Sequence, residues 1–240
     1  MSKISDPSVY TLCEARRSPW STNSLASAPR TSLVPEAIRG FISQALWHHL
    51  LTTLLTRTLN TMSTTIEVGA TIPEAEFPTV YWSEELESGA ACGVPSKLST
   101  KEWEGKKVVV VAVPGAFTPT CHVNHIPGYV KNHQAIKDKG VDQIVVIAAN
   151  DPFVMSGWGR INGAKGDVLF VTDTYVEWSK KLGLSVDLTG HGLGIRTSRY
   201  ALLIDNKKVA KVLVEPNPGA LAVTSAEQII AAIDELGWKK

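Results

Sequence analysis

Residues 107 to 129 read KVVVVAVPGAFTPTCHVNHIPGY, and the rest of the chain is organised around them. A run of valines ends at Pro114, and the short loop Gly115 to Thr120 delivers Cys121. The pattern after the cysteine predicts a helix to about Lys139 that stops at Gly140, since glycine readily takes the left-handed turn that closes a helix. The valine run is apolar at successive positions, as expected for a strand covered on both faces. A strand, a tight loop and a helix starting near a cysteine form an arrangement that activates a thiol. The first amides of a helix lack partners and carry partial positive charge, which stabilises a thiolate placed there.

Composition narrows the possibilities. The 240 residues fit one domain with an extension, or two small domains. A net charge of +1 gives no reason to expect nucleic-acid binding, and no apolar run reaches the roughly 18 residues of a membrane span. Three cysteines, Cys13, Cys92 and Cys121, are too few and too scattered for a secreted disulfide framework. A reducing compartment with reactive thiols fits better. There is no CxxC pair, so neither a dithiol redox site nor a zinc knuckle is indicated.

Residues 1–61 differ from the rest. They hold Asp6, Glu14 and Glu36 against Lys3 and five arginines, with abundant Ser and Thr. No period emerges before about Val34, where disorder is expected, and an amphipathic helix is predicted from Pro35 to Leu59. Arg-rich, Ser-rich, acid-poor and amphipathic describes a mitochondrial transit peptide. The competing reading is a translated upstream segment with the working start at Met62, so a cytoplasmic and a mitochondrial location are both open. Residues 62–240 form the predicted domain, long enough for a sizeable core.

Within that domain Thr79–Trp82 is the first predicted strand, followed by a polar loop, Glu84 to Gly93, that carries Cys92. Ser99 to Trp103 suits one helical turn with Ser99 and Glu102 as a capping box. Further strands are predicted at Ile144–Ala149 and Val168–Val171, with helices at Phe153–Arg160 and Tyr175–Leu182. Arg199–Ile204 and Lys208–Val214 flank Asp205-Asn206-Lys207, a hairpin signal. Thr224 or Ser225 caps a final helix through Leu236.

Pro114, Thr118 and Cys121 form P-x-x-x-T-x-x-C, which resembles the peroxiredoxin active-site motif; PGAFTPTC and HIPGY resemble the atypical type II, peroxiredoxin-5-like branch. The resemblance runs from about Ile66 to Leu236 and is supported by Asn150-Asp151-Pro152-Phe153-Val154-Met155 and Arg199-Tyr200-Ala201-Leu202. It implies an α/β, thioredoxin-like fold, a central mixed sheet flanked by helices with peroxiredoxin-type insertions. The order of predicted elements matches this. It also implies a thiol-dependent peroxidase acting on hydrogen peroxide and alkyl hydroperoxides, working in antioxidant defence without metal, haem or flavin. Thioredoxin, glutaredoxin or glutathione would be the reductant, and a homodimer the assembly. A general thiol–disulfide oxidoreductase is disfavoured by the missing CxxC. A redox sensor or holdase without turnover is the alternative from another class.

The resemblance assigns site residues too. Cys121 becomes the peroxidatic nucleophile, attacking the weak O–O bond to give a sulfenic acid; its other reading is a small buried hydrophobe. Thr118 can accept from the peroxide O–H and donate to the sulfur. Pro114, lacking an N–H, shields the thiolate, although it could simply end the strand. Arginine suits a thiolate and a developing oxyanion because it stays charged and presents several donors; Arg196 and Arg199 are candidates, and the family favours Arg199. His125 is expected to support the helix start, His122 to be incidental, and His48 and His49 to be solvated. The positions where type II members carry a second cysteine read Ile144–Ile147 and Leu221–Thr224 here, without one. Ala91-Cys92-Gly93 resembles the context of a cysteine in a fungal branch, so Cys92 is the candidate resolving cysteine. The competing reading is an exposed bystander, with an external thiol resolving.

Overall fold

The computed structural model describes residues 66–239. The expectations for Cys13, His48, His49, the Pro35–Leu59 helix and the Met62 start lie outside the described residues. The valine run forms β3 (Lys107–Ala112), whose last five residues are fully buried. It pairs in parallel with β4 (Gln143–Ala148), and β4 with β5 (Leu169–Thr172). On the other side β3 pairs antiparallel with β8 (Tyr200–Asp205), which turns into β9 (Lys208–Val214). The turn residues Asn206 and Lys207 both have positive φ, 49° and 64°, the backbone of a two-residue hairpin turn that matches strand twist. With β1 (Glu76–Thr79) and β2 (Ser96–Ser99) the sheet has seven strands in the order β2-β1-β5-β4-β3-β8-β9.

Helices cover both faces. α2 (Ile126–Asp138), α3 (Pro152–Ile161) and α5 (Ala226–Glu235) bury Ile126, Tyr129, Trp158, Ile229 and Ile233 against one face, together with Cys121. The sequence marks these helices well. Asp151 caps α3 by accepting from Phe153 and Val154 amides, Pro152 fills its first position, and Ser225 caps α5. Gly140, φ 87°, follows the end of α2. The opposite face is closed by Phe77, Trp103 and Trp178, with ring centroids 5.3 to 6.4 Å apart. Trp103 belongs to the short turn after Ser99, where the capping box with Glu102 is present.

Several expectations change. The first strand is Glu76–Thr79 rather than Thr79–Trp82. Phe77 and Thr79 point inward, and Pro78, with no N–H to donate, is tolerated because β1 meets β5 only at Thr79. The polar stretch after it begins with a short helix, α1 (Glu84–Glu87), capped by Ser83. The predicted Tyr175–Leu182 helix is broken: Tyr175 and Val176 both lie at positive φ, 57° and 60°, so α4 is only Glu177–Lys181. A small hairpin, β6 (Ser185–Leu188) with β7 (Gly194–Thr197), was not anticipated.

The aromatic cluster makes a stability prediction. Trp178 is almost fully buried and donates its indole N–H to Pro73 O at 3.0 Å. Trp178→Ala should lower the free energy of unfolding by about 3–5 kcal/mol, read as a urea-denaturation midpoint. The cluster packs on the sheet face away from Cys121, so peroxide turnover per folded molecule should be unchanged.

Candidate active site

Cys121 lies in a π-helical stretch, Thr120–His125, that precedes α2, and the Ile126 amide bonds back to the Cys121 carbonyl. This wide turn leads straight into the α-helix. Such insertions occur often at functional sites. Just before it, Phe117 sits at φ 60° and is exposed, a conformation that costs a bulky residue energy and must be held by its surroundings. The braces are visible. Asn150 Oδ1 accepts from the Ala116 amide at 2.8 Å, and Thr118 donates its hydroxyl to Gly115 O at 2.9 Å. Arg196 donates from Nη1 to Pro114 O at 3.1 Å. A Cβ on Gly115 would stand 2.9 Å from that Nη1, so a side chain there would push the Arg196 guanidinium off the Pro114 carbonyl.

The sheet register delivers the cation. Tyr200 opens β8 opposite Ala112 of β3, so Arg199 sits at the end of the sheet where the cysteine loop emerges. Arg199 is 2% exposed and Cys121 0%. Arg199 Nη2 donates to Cys121 Sγ at 3.2 Å. Nε and Nη2 both donate to Pro218 O, at 3.2 and 2.7 Å. Nη1 lies 2.8 Å from His125 Nδ1.

That last contact settles the histidine's tautomer. A guanidinium only donates, so Nδ1 accepts and the ring proton sits on Nε2, which donates to Thr224 O at 2.8 Å. The Tyr129 hydroxyl donates to the same carbonyl at 2.5 Å. Burial drives the His125 pKa down to about 4, with the Arg199 charge adding to the depression and the Thr224 bond opposing it.

Of the candidates, Cys121 and Arg199 are brought into contact, with Pro114 buried and Thr118 half-buried in the loop between strand and cysteine. Thr118 gives its proton to Gly115 rather than to the sulfur, leaving its lone pairs as acceptors. Arg196 braces the loop and makes no contact with Cys121 among the hydrogen bonds described. His122 is not incidental: its Nδ1 accepts from Trp158 Nε1 at 3.0 Å. His125 does more than support a helix start. Its spacing, four residues after the cysteine, was the available signal.

Cys92 is not brought to the site. β1 runs antiparallel to β5, which is parallel to β4 and β3, so the chain leaves β1 at the end of the sheet where β3 begins. Cys92 lies in the exposed connection from there to β2. Gly93 presses on Val80, whose Cγ1 an added Cβ would approach to 2.5 Å. Cys121 follows the opposite end of β3, a six-residue strand roughly 20 Å long. A disulfide needs Cα atoms within about 7 Å.

The comparisons accord with this geometry. The redoxin family model matches residues 67–230. The chain belongs to the redoxin family. Peroxiredoxin-2D of Arabidopsis thaliana is 40% identical over 168 residues, covering 70% of this chain and 98% of that protein. A Malassezia furfur protein assigned to the peroxiredoxins is 52% identical over 144 residues, 60% of this chain and 87% of that one. Among solved structures, reduced Prx3 from Vibrio vulnificus in complex with hydrogen peroxide aligns with a TM-score of 0.62 at 38% identity, over 72% of this chain and 99% of that chain. The protein is thus a type II peroxiredoxin with the thioredoxin-like fold, and a thiol peroxidase. A sensor without turnover is not favoured.

The depressed His125 pKa carries a pH prediction. In the unfolded chain the ring takes up a proton near 6.5, in the folded protein only near 4. The unfolded state therefore binds more protons between these values, and stability falls as pH drops through that window. Urea midpoints at successive pH values should decline from about pH 6.5 towards pH 4, and His125→Asn should flatten that decline. An equally steep decline in His125→Asn would assign it to other groups.

Proposed function

We propose that Cys121 is the peroxidatic nucleophile of this peroxiredoxin and that Arg199 is the cation that activates it. The observation that carries the reading is the 3.2 Å contact from Arg199 Nη2 to Cys121 Sγ inside a site closed to solvent. The thiolate attacks one peroxide oxygen, an S–O bond forms and the O–O bond breaks. Sulfur loses two electrons and becomes a sulfenate, while the proton of the attacked oxygen passes to the other oxygen, which leaves as water or an alcohol; the sulfenate then takes a proton from water to give the sulfenic acid. Thr118, its own proton committed to Gly115, accepts from the peroxide O–H. Four of the five Arg199 donors have protein acceptors among the described residues, and the remaining Nη1 proton is the one assigned to the developing oxyanion. Pro114, buried and without an N–H, closes the strand side of the pocket. Residues 62–240 are the catalytic domain in this reading, with the segment before Met62 outside it as a mitochondrial address or an upstream leader.

Cys121→Ser should abolish peroxide turnover and Cys13→Ser leave it unchanged, in the full chain and in a chain beginning at Met62 alike. Arg199→Lys keeps the charge but loses the planar fork and should slow the attack by about tenfold or more, since each such donor supplies roughly 10²–10³ elsewhere. Arg196→Lys should act less strongly, through the loop. Peroxide consumption coupled to a thiol reductant measures the two cysteine variants, and stopped-flow oxidation of Cys121 by hydrogen peroxide the two arginine variants. Turnover in Cys121→Ser would overturn the assignment, and so would a larger effect at Arg196 than at Arg199.

The sulfenic acid then needs a second thiol: it condenses with loss of water, and the disulfide is reduced by thioredoxin, glutaredoxin or glutathione. Among the described residues the other cysteine is Cys92, and its place in the topology favours a thiol from outside the protomer. We favour Cys92 of a second copy in a homodimer. After one equivalent of peroxide, non-reducing electrophoresis should give a disulfide-linked dimer that is lost in Cys92→Ser. A monomeric sulfenate, or a glutathione adduct formed equally fast in Cys92→Ser, would instead make an external thiol the resolving group.

A further inference from the structure

The loop after β9 carries the carbonyl that holds the cation and the one that holds its histidine partner, and one side chain shapes that loop. Glu215 stands across from Arg199, its amide donating to the Arg199 carbonyl at 3.0 Å. Its carboxylate, almost fully buried, accepts from the amides of Ala222, Val223 and Thr224 and from the Thr224 hydroxyl, at 2.8 to 2.9 Å. One carboxylate thus gathers three consecutive amides and draws residues 215 to 224 into a closed loop. The inner side of that loop presents Pro218 O to Arg199 Nε and Nη2, and Thr224 O to His125 and Tyr129. His125 returns the connection to Arg199 Nη1. The loop also meets the cysteine segment directly, Thr120 Oγ1 donating to Gly219 O at 3.5 Å.

We propose that Glu215 is a positioning residue of the peroxidatic reaction, closing the 215–224 loop into a two-carbonyl clamp that aims the Arg199 guanidinium at Cys121. Among the described residues no ion pair joins Glu215 to Arg199, so the argument is geometric, although the Glu215 charge also acts on His125. Burial pushes the Glu215 carboxyl up, but the three amides and the hydroxyl more than reverse this and hold it below the usual carboxylate range. It is therefore ionised at neutral pH, the form that accepts with both oxygens. Without it the three amides lose their acceptor and the loop has no reason to keep Pro218 and Thr224 facing inward. The guanidinium then turns while remaining charged and nearby. Misplacement of a reacting or stabilising group by about 1 Å is enough to lose about 100-fold in rate.

The inference rests on the reading of Cys121 and Arg199 above, and the test keeps the two separable. Two rates are measured in Glu215→Ala, Glu215→Gln and Thr224→Val: oxidation of Cys121 by hydrogen peroxide, and alkylation of Cys121 by iodoacetamide at neutral pH. The alkylation reports thiolate reactivity without presupposing peroxidase chemistry. Glu215→Ala should slow both by about 10- to 100-fold. Glu215→Gln keeps one acceptor oxygen at the shared position and should recover most of the loss. Thr224→Val, lacking one donor to the carboxylate, should fall in between. Denaturation midpoints correct each rate for the folded fraction. Should Glu215→Ala not fold, Glu215→Gln and Thr224→Val carry the comparison. A folded Glu215→Ala with wild-type alkylation and oxidation rates, within twofold, overturns the proposal, and so does a folded Thr224→Val with those rates where Glu215→Ala does not fold. So does a loss fully accounted for by unfolding. Turnover by Cys121→Ser would sink the catalytic reading, while the alkylation rates would still decide the clamp.

Discussion

A guanidinium buried to 2% exposure is the constraint on which the site depends. Arginine does not discharge itself by losing a proton, so an unpartnered buried Arg199 would be strongly destabilising. Its donors therefore need acceptors, and the fold supplies four of the five from two separate segments. Cys121 comes from the turn after β3, His125 from the end of that turn, and Pro218 from the loop after β9. The planar fork fixes all three at once, which a lysine ammonium with rotating donors would not. The same satisfaction rule makes His125 neutral. A second proton on Nδ1 would face the arginine and remove an acceptor, and burial already disfavours that charge.

Much of this was legible before the fold. The apolar run, the Pro114-Thr118-Cys121 spacing, the Asp151-Pro152 helix start and the Asn206-Lys207 turn are local signals, and each sits where local physics places it. The choice of Arg199 over Arg196 needed the family resemblance. It is explained afterwards by the register, since Tyr200 pairs with Ala112, whereas Arg196 on β7 belongs to the separate small sheet. Glu215 carried no signal. A lone carboxylate in Val214-Glu215-Pro216 looks solvated until the loop folds back upon it.

Other features hid for different reasons. Six residues of π-helix are too short to show a period distinct from that of the α-helix they enter. The β6–β7 hairpin is only partly buried, and although Ser185-Val186-Asp187-Leu188 alternates polar and apolar residues, four residues are too short a run to announce a strand. The break at Tyr175 and Val176 defied propensity outright: a β-branched residue at φ 60° is sterically disfavoured. It persists because Asp173, buried, accepts from the Trp178 and Ser179 amides and anchors α4 on a different axis. Tertiary contacts overrode the local preference there, as they did at Pro78.

The burial that sets Arg199 against the sulfur also restricts what the sulfur can meet. A peroxide is small and needs only the space beside the sulfur and the arginine. A second thiol is attached to a chain, and a disulfide demands close approach of two backbones. With Cys121 at 0% exposure, that approach is impossible while the π-helical turn stays in place. The turn is held by side chains rather than by a cap, through Cys121 and His125 to Arg199, His122 to Trp158 and Thr120 to Gly219. Arg199 also keeps contacts outside the turn, through its place beside β8 and its two donors to Pro218. Opening the turn would therefore carry the oxidised sulfur outward while leaving the cation and its clamp behind. The Pro218 contacts of Arg199 would then be the template onto which the reduced turn closes again.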